Sequence, residues 1–222
     1  MVRYVPRTTL LVAVLLAFAP APASAEQGCA WAKQQPDDTP ADFGNLVVTA
    51  KFTGYIYAQH TDGQAGIRIN TSDTTINEGD LIFVHGAVGT TGRERVINAS
   101  SIDIITPHWR DQPPRALCNR GLGGGFLGTL PNCQEGPVGG TGINNIGLLV
   151  RTWGRVTEKV ADFGYVVMDD GTGTPVKVDC SRLSSLPERG DYIGATGISS
   201  LHAFGLRLIL TRRDSDVTIY AH

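Results

Sequence analysis

The segment Tyr165-Val-Val-Met-Asp-Asp-Gly-Thr-Gly-Thr-Pro-Val-Lys-Val-Asp179 decides the fold of this chain. Two runs of alternating apolar residues flank an Asp-Gly turn, which is the strongest short-range sequence signal for a β-hairpin. An apolar strand at residues 148–156 precedes the hairpin, and apolar runs after Gly190-Asp191 and from Leu206 follow it. Five short strands of this kind are typical of a small Greek-key barrel.

The third and fourth strands of this barrel need a bridging segment. Residues 180–186 supply it, and their leucines are spaced at i and i+3. This spacing predicts one or two helical turns there.

The same pattern occurs earlier in the chain. The shared features are Gly79-Asp80 with Gly86 in the first copy and Gly190-Asp191 with Gly197 in the second. Each Gly-Asp predicts a turn that opens the fourth strand, and each later glycine predicts a bend in a barrel strand. Chance agreement between two glycine-rich β stretches is the alternative, but the matched spacing favours a duplication.

The predicted fold class is therefore all-β, with two tandem five-stranded Greek-key barrels joined by a Gly/Pro-rich connector. The predicted segments are a signal peptide at residues 1–25, a poorly ordered polar arm at 26–44, a first barrel at 45–105, the connector at 106–147 and a second barrel at 148–222. So long a connection without regular elements is either disordered or functional, and a disulfide predicted within it favours a packed connector.

The first residues have the three parts of a secretory signal. Arg3 and Arg7 are basic, residues 10–19 are apolar, and Ala23-Ser24-Ala25 is a small-residue cleavage pattern. A membrane anchor is the alternative, but prolines interrupt the run below the roughly 20 residues that a spanning helix needs. We predict a secreted protein, extracellular, periplasmic or at the cell surface, without membrane insertion after signal cleavage.

Cysteine usage fits an oxidising compartment. The chain has four cysteines, and exported proteins usually pair them. Cys118 and Cys133 bracket a glycine-rich loop, so we predict that they form one disulfide and that Cys29 and Cys180 form the other. Zinc needs closely spaced Cys and His ligands, which the sequence lacks, so no metal site is expected.

The charge balance limits the choice of ligands. The formal net charge is −2, and cleavage of the signal peptide would remove two more arginines. A protein that binds mainly by neutralising phosphates usually has a strongly basic domain or stripe. The sequence argues against that class.

Several of these residues also resemble a known family. The turn Asp169-Asp170-Gly171-Thr172-Gly173, together with Gly190-Asp191 and Gly197, resembles the oligonucleotide/oligosaccharide-binding (OB) fold and its nucleic-acid-binding superfamily. Residues 147–156 are similar to tandem OB modules of exported bacterial proteins. The resemblance covers residues 45–105 and 148–210, but Thr61-Asp62-Gly63-Gln64 departs from the fuller turn. It implies an OB fold and a binding role, although turn motifs specify fold more than activity.

OB folds bind ligands on the face of their second and third strands. Because side chains alternate along a strand, one set in the first barrel points inward, namely Ile56, Ala58, Ile67 and Ile69. The outward set, predicted to bind the ligand, is Tyr55, Tyr57, Gln59, Arg68 and Asn70. Such a surface suits bases of a single strand or sugar rings. Burial of these aromatic residues under the connector or against the second barrel is the alternative.

A second outward set lies on the first strand of the second barrel. Val150, Thr152, Gly154 and Val156 are expected to point inward, whereas Arg151, Trp153 and Arg155 share the outer face. Arginine and tryptophan permit cation–π contacts but also mark interfaces. We predict either a seam between barrels or subunits, or a secondary ligand face. The strand-two and strand-three face there, with Tyr165, Val167 and Lys177, is a poor binding surface.

Catalytic machinery is not expected. The five histidines are scattered, no nucleophile has a neighbouring base, and Asp169-Asp170 is explained by turn geometry. We therefore predict a non-catalytic binding protein for single-stranded nucleic acid or glycan, without a cofactor. The alternative is a structural protein that self-associates or contacts another extracellular protein.

Overall fold

The computed structural model describes residues 27–221 of the chain. The predicted signal peptide at residues 1–25 lies outside that range. Within the described range, every helix is too short to cross a membrane.

The first barrel consists of five strands. They are β1 (Pro40–Phe52), β2 (Tyr55–His60), β3 (Gly66–Asn70), β4 (Leu81–Thr91) and β5 (Glu94–Thr106). The strands close in the order β1-β2-β3-β5-β4, with β3 and β5 parallel and the other pairs antiparallel. Ile56, Ala58, Ile67 and Ile69 all lie in its core, which confirms the predicted alternation of inward side chains.

The second barrel repeats this arrangement. Its strands are β9 (Leu149–Val160), β10 (Tyr165–Asp169), β11 (Val176–Asp179), β12 (Tyr192–Leu201) and β13 (Arg207–Leu210). The order is β9-β10-β11-β13-β12, the pairing of β12 with β9 completes the ring, and β11 is parallel to β13. The shared strand order, including the one parallel pair, confirms an all-β fold of the OB type.

The connector between the barrels is ordered and packed. It contains β6 (Arg115–Ala116), a 3-10 turn (Asn119–Gly121), β7 (Leu127–Thr129) and β8 (Asn132–Gln134). The Asn119 backbone N–H donates to Asp170 Oδ2 at 2.8 Å on the second barrel. Gln134 Oε1 accepts a hydrogen bond of 2.9 Å from the Arg95 N–H on the first barrel. After the second barrel, β14 (Val217–Ala221) pairs with β12.

The prediction that the arm at residues 26–44 is poorly ordered is wrong for its described residues, 27–44. A short helix, α1 (Cys29–Ala32), and the beginning of β1 lie within it. Lys33, only 1% exposed, donates from Nζ to the Ile146 carbonyl at 2.5 Å. Because Ala41 and Phe43 also enter the first core, burial and hydrogen bonds hold this segment in place.

The predicted helix at residues 180–186 is also absent. The segment forms turns, with the Leu183 N–H donating to the Cys180 carbonyl at 2.9 Å. Leu183 and Leu186 nevertheless pack against the second core. The Ser184 N–H and hydroxyl are both bonded to Asp214, and such side-chain competition favours a turn over a helix.

Neither predicted disulfide forms, since all four cysteines are free thiols. Cys29 is buried in the first core and Cys180 in the second, so the two sulfurs belong to different barrels. Cys118 is exposed beside the 3-10 turn on the second barrel, whereas Cys133 lies in β8, next to the residue that bonds Arg95. The connector thus directs these two cysteines toward different barrels.

A third apolar cluster joins the barrels, and we call it the seam. Its buried members are Ala50, Phe52, Tyr57, Leu149 and Ile198. The backbones also meet closely, since a Cβ added to Gly66 would lie 2.3 Å from the Gly147 carbonyl oxygen. The two barrels therefore pack against each other through apolar side chains and a close backbone contact.

Candidate ligand-binding face of the second barrel

The seam removes the centre of the binding face predicted on the first barrel. Tyr57 is 1% exposed and Gln59 is 4% exposed. The Tyr57 hydroxyl donates to Glu94 Oε2 at 2.6 Å, and Gln59 Oε1 accepts from the Leu149 N–H at 3.1 Å. The prediction that these two side chains bind a ligand is wrong, because the second barrel covers them. The alternative, burial against that barrel, is confirmed.

The other three predicted residues lie at the margin of the seam. The Arg68 guanidinium stands 3.8 Å from the ring centroid of Tyr55, which also stacks on Phe52 with centroids 5.1 Å apart. Arg68 Nε donates to Asn70 Oδ1 at 2.9 Å. Tyr55, Arg68 and Asn70 are thus partly buried and engaged with protein groups, which leaves little of the predicted face available.

The outer face of β9 is open instead. Arg151, Trp153 and Arg155 are exposed, with 52% of the Trp153 surface accessible. The residues that alternate with them, Thr152, Gly154 and Val156, point inward and are buried, as predicted. The three exposed residues do not form the seam between the barrels, so that interpretation is wrong.

Neighbouring strands add further groups to this face. Arg155 pairs in register with Tyr192 on β12 and with Asp169 on β10. An aromatic ring, a guanidinium and a carboxylate therefore lie in one row across three strands. Tyr192, like Trp153, is 52% exposed.

A glycine shapes the other side of the face. Gly194 lies opposite Trp153 in the β12–β9 ladder. A Cβ at that position would stand only 2.8 Å from the Tyr220 hydroxyl, so the ring of Tyr220 occupies the space that a side chain would fill. Arg151 Nη2 donates to that hydroxyl at 2.7 Å. Tyr220 extends the aromatic surface from β9 to β14.

Trp153, Arg155, Asp169 and Tyr192 line a groove of about 630 Å³, which is within the usual size range of small-molecule sites. We call it the Trp153 groove. Its lining residues are Trp153, Gly154, Arg155, Thr157, Asp169, Asp170, Gly171, Gly173 and Tyr192. The aromatic side chains stand on one wall, and the Asp-Gly turn between β10 and β11 forms the other.

The wall formed by the Asp-Gly turn carries two carboxylates that hydrogen bonds hold in place. Asp169 Oδ1 accepts from the Gly171 N–H at 2.6 Å, and Asp170 Oδ1 accepts from the Thr172 hydroxyl at 2.6 Å. Burial alone raises the pKa of Asp170, but the hydrogen bonds from Thr172 and from the Asn119 N–H outweigh it and hold that pKa below its usual value. The turn therefore holds a negative charge on Asp170, one of the lining residues of the groove.

The strand-two and strand-three face of the second barrel offers less. Lys177 Nζ stands 3.8 Å from the ring centroid of Tyr165, so the two main polar groups of that face are occupied with each other. Within residues 27–221, no group of His, Cys, Asp and Glu side chains is placed to hold a metal ion.

The sequence predicts only part of this face. It named the three outward residues of β9, and the same alternation could have added Tyr192, which lies two residues before Gly194 on β12. Tyr220 gave no signal, because its place beside Trp153 depends on the pairing of β14 with β12. Asp169 was explained by turn geometry alone, since its register with Arg155 is a tertiary feature.

Comparisons with known proteins add little to this geometry. No protein-family model and no curated protein matches the chain. Among solved structures, the chain is similar to one titled "Crystal structure of the tetrameric p202 HIN2", with 14% sequence identity and a TM-score of 0.36 over 86% of this chain and 97% of that one. A similarity this distant does not transfer a function.

Proposed function

We propose that the protein is an exported, non-catalytic carbohydrate-binding protein whose Trp153 groove takes one or more sugar rings. The observation that carries this proposal is the pair of half-exposed aromatic residues, Trp153 and Tyr192, in one groove with Arg155 and Asp169. OB folds bind oligosaccharides as well as oligonucleotides.

The mixture of donors and acceptors favours a sugar. Sugar hydroxyls both donate and accept hydrogen bonds, so they match a site that offers both kinds of group. Arg155 can only donate, the Asp169 carboxylate can only accept, and the Tyr192 hydroxyl does either. The apolar face of a pyranose can lie on the Trp153 ring while its hydroxyls contact the opposite wall.

A specific observation keeps single-stranded nucleic acid as the second candidate. Arg151 and Arg155 flank Trp153, and stacking of a base on an aromatic ring beside arginine is a common way to bind a single strand. However, the fixed negative charge of Asp170 lies on the facing wall, and the chain carries a net charge of −2. Phosphates would be repelled by these groups, so we rank this ligand below a glycan.

The test compares Trp153→Ala with the wild-type protein on panels of glycans and oligonucleotides, followed by calorimetry. The matched control is Trp109→Ala, since Trp109 is also partly exposed, at 38%, but lies in the connector. Loss of one stacked ring, at about 1–3 kcal/mol, should weaken binding by about 5- to 150-fold. The control should bind like the wild type.

The outcomes separate the candidates. Glycan binding that survives Trp153→Ala, or no glycan binding at all, would overturn the proposal. Oligonucleotide binding that weakens with added salt and with Trp153→Ala would establish the second candidate instead. Because Trp153 is half exposed, its replacement should leave the melting temperature nearly unchanged, which excludes unfolding as the cause.

Export is part of the same proposal. The basic, apolar and small-residue parts of residues 1–25 support it. Expression of the full chain in a bacterial host, followed by amino-terminal sequencing of the exported form, should give Glu26 as the first residue. Retention of the intact chain in the cytoplasm would contradict export and would leave the sugar-binding proposal untouched.

A further inference from the structure

The seven-stranded sheet that contains the second barrel has two ends of very different character. One end is β6, a strand of two residues that follows Pro113-Pro114. Proline and short length are common devices that prevent an edge strand from pairing with another chain. The other end is β14, and among residues 27–221 its only strand partner is β12.

The β14 strand has none of these protective features. Its sequence, Val-Thr-Ile-Tyr-Ala, contains no charge and no proline and is rich in residues that favour strands. Ile219 is 45% exposed and Tyr220 is 60% exposed, although these side chains are of the kind that strands normally bury. An exposed apolar edge strand is a template for pairing with a further strand.

We propose that β14 pairs antiparallel with β14 of a second copy of the chain, across a twofold axis. A twofold contact requires a surface that is complementary to itself. An uncharged strand meets this requirement, because self-pairing brings no like charges together. Main-chain hydrogen bonds between the two edges would supply affinity, and Ile219 would approach its twin near the axis.

The pairing of two β14 strands would also fix how the two Trp153 grooves are oriented. Its effect on ligand binding rests on the proposed function. A twofold axis between antiparallel strands is perpendicular to the sheet, so it leaves equivalent faces on the same side. The two Trp153 grooves would therefore open in one direction, each separated from the axis by β12 and β14. Two linked sites on one side can bind a long polymer with higher avidity than a single site.

The pairing itself is tested without any ligand, by sedimentation of the purified chain without its predicted signal peptide over a range of concentrations. Ile219→Lys and Ile219→Glu each place like charges close together in the pair, so each should weaken self-association by about tenfold or more. An equimolar mixture of the two variants should recover it, because opposite charges then meet. Ile105→Lys is the matched control, since Ile105 is 58% exposed in β5 of the first barrel.

Each outcome decides the proposal. A wild-type chain that stays monomeric at all concentrations would overturn it and would leave an edge suited to a strand from another protein. Self-association that Ile219→Lys does not weaken, or that the mixture does not recover, would also overturn it. Circular dichroism and melting of each variant show that the chain remains folded. Glycan binding by the monomeric variants would show that the sugar proposal stands by itself.

Discussion

The seam offers a sharp test, because the buried Glu94 carboxylate of the first barrel accepts hydrogen bonds from one hydroxyl of each barrel. The Tyr57 hydroxyl donates to Glu94 Oε2 at 2.6 Å, and the Ser200 hydroxyl of the second barrel donates to Glu94 Oε1. Tyr57 and Glu94 are 1% and 5% exposed. Burial, followed by the Glu94 charge, raises the pKa of Tyr57 well above its usual value, so the phenol keeps its proton and remains a donor.

Tyr57→Phe removes this donor and keeps the ring. A hydrogen bond to a charged group contributes about 1.5–3 kcal/mol, and the carboxylate it leaves behind is still buried. For a domain of this size, 1 kcal/mol corresponds to about 2–4 °C in melting temperature, so we expect a decrease of about 3–12 °C. Urea unfolding measures the free energy directly. Tyr192→Phe is the control, because its ring is half exposed and its change should stay within about 0.5 kcal/mol.

Repeating Tyr57→Phe in a Glu94→Gln variant tests whether the charge of the acceptor causes the loss of stability. With Glu94→Gln the acceptor is neutral, so removal of the Tyr57 hydroxyl should cost less than it does beside the carboxylate. The reasoning would be refuted if Tyr57→Phe cost no more than Tyr192→Phe, or if its cost were the same in both backgrounds.

Two further predictions concern buried ionisable groups. Burial lowers the pKa of Lys33 from 10.5 to about 8, so the unfolded chain binds more protons between these values. The stability contribution of Lys33 should therefore rise with pH across that window, and urea unfolding of Lys33→Met should lack this rise; parallel profiles for the two proteins would contradict it. A thiol reagent should modify only Cys118 in the folded protein, since Cys133 is buried and burial raises the pKa of Cys29 and Cys180 to about 12. Modification of all four cysteines at once would contradict their different exposure in the structure. Modification of none until a reductant is added would contradict their being free thiols.

Much of the fold could be predicted because it depends on local patterns. The Asp-Gly turn at Asp170-Gly171 fixes a hairpin, and alternation fixes which side chains of β2 and β9 enter the cores. The duplicated Gly-Asp turns indicate the second barrel. The helix expected at residues 180–186 failed because Asp214, distant in sequence, bonds Ser184 and stabilises a turn. Cysteine pairing failed for a similar reason, since spacing in sequence does not reveal which barrel a sulfur joins.

The prediction of a ligand-binding site on the first barrel was wrong because alternation only distinguishes the inner from the outer side chains of a single barrel. It cannot show whether an outer face meets water or a second barrel. A different signal was present in the sequence. Strands that bury both faces read as continuous apolar runs rather than alternating ones. Residues 46–50, which are apolar except for Thr49, and the apolar residues 148–150 follow this pattern, and the two segments contribute to the seam through Ala50 and Leu149.

The same criterion distinguishes the two surfaces that we propose to be functional. From Arg151 to Thr157, β9 alternates strictly between exposed and buried residues, which is the pattern of a strand with one face in water. The Trp153 groove therefore needs no covering protein, and a soluble ligand fits it. The β14 strand instead carries a β-rich, uncharged sequence while most of its residues are exposed. Its apolar and aromatic side chains are therefore exposed to water. Tyr57 would be exposed in the same way if the first barrel stood alone. The second barrel covers Tyr57, and at β14 a second copy of the chain would do the same.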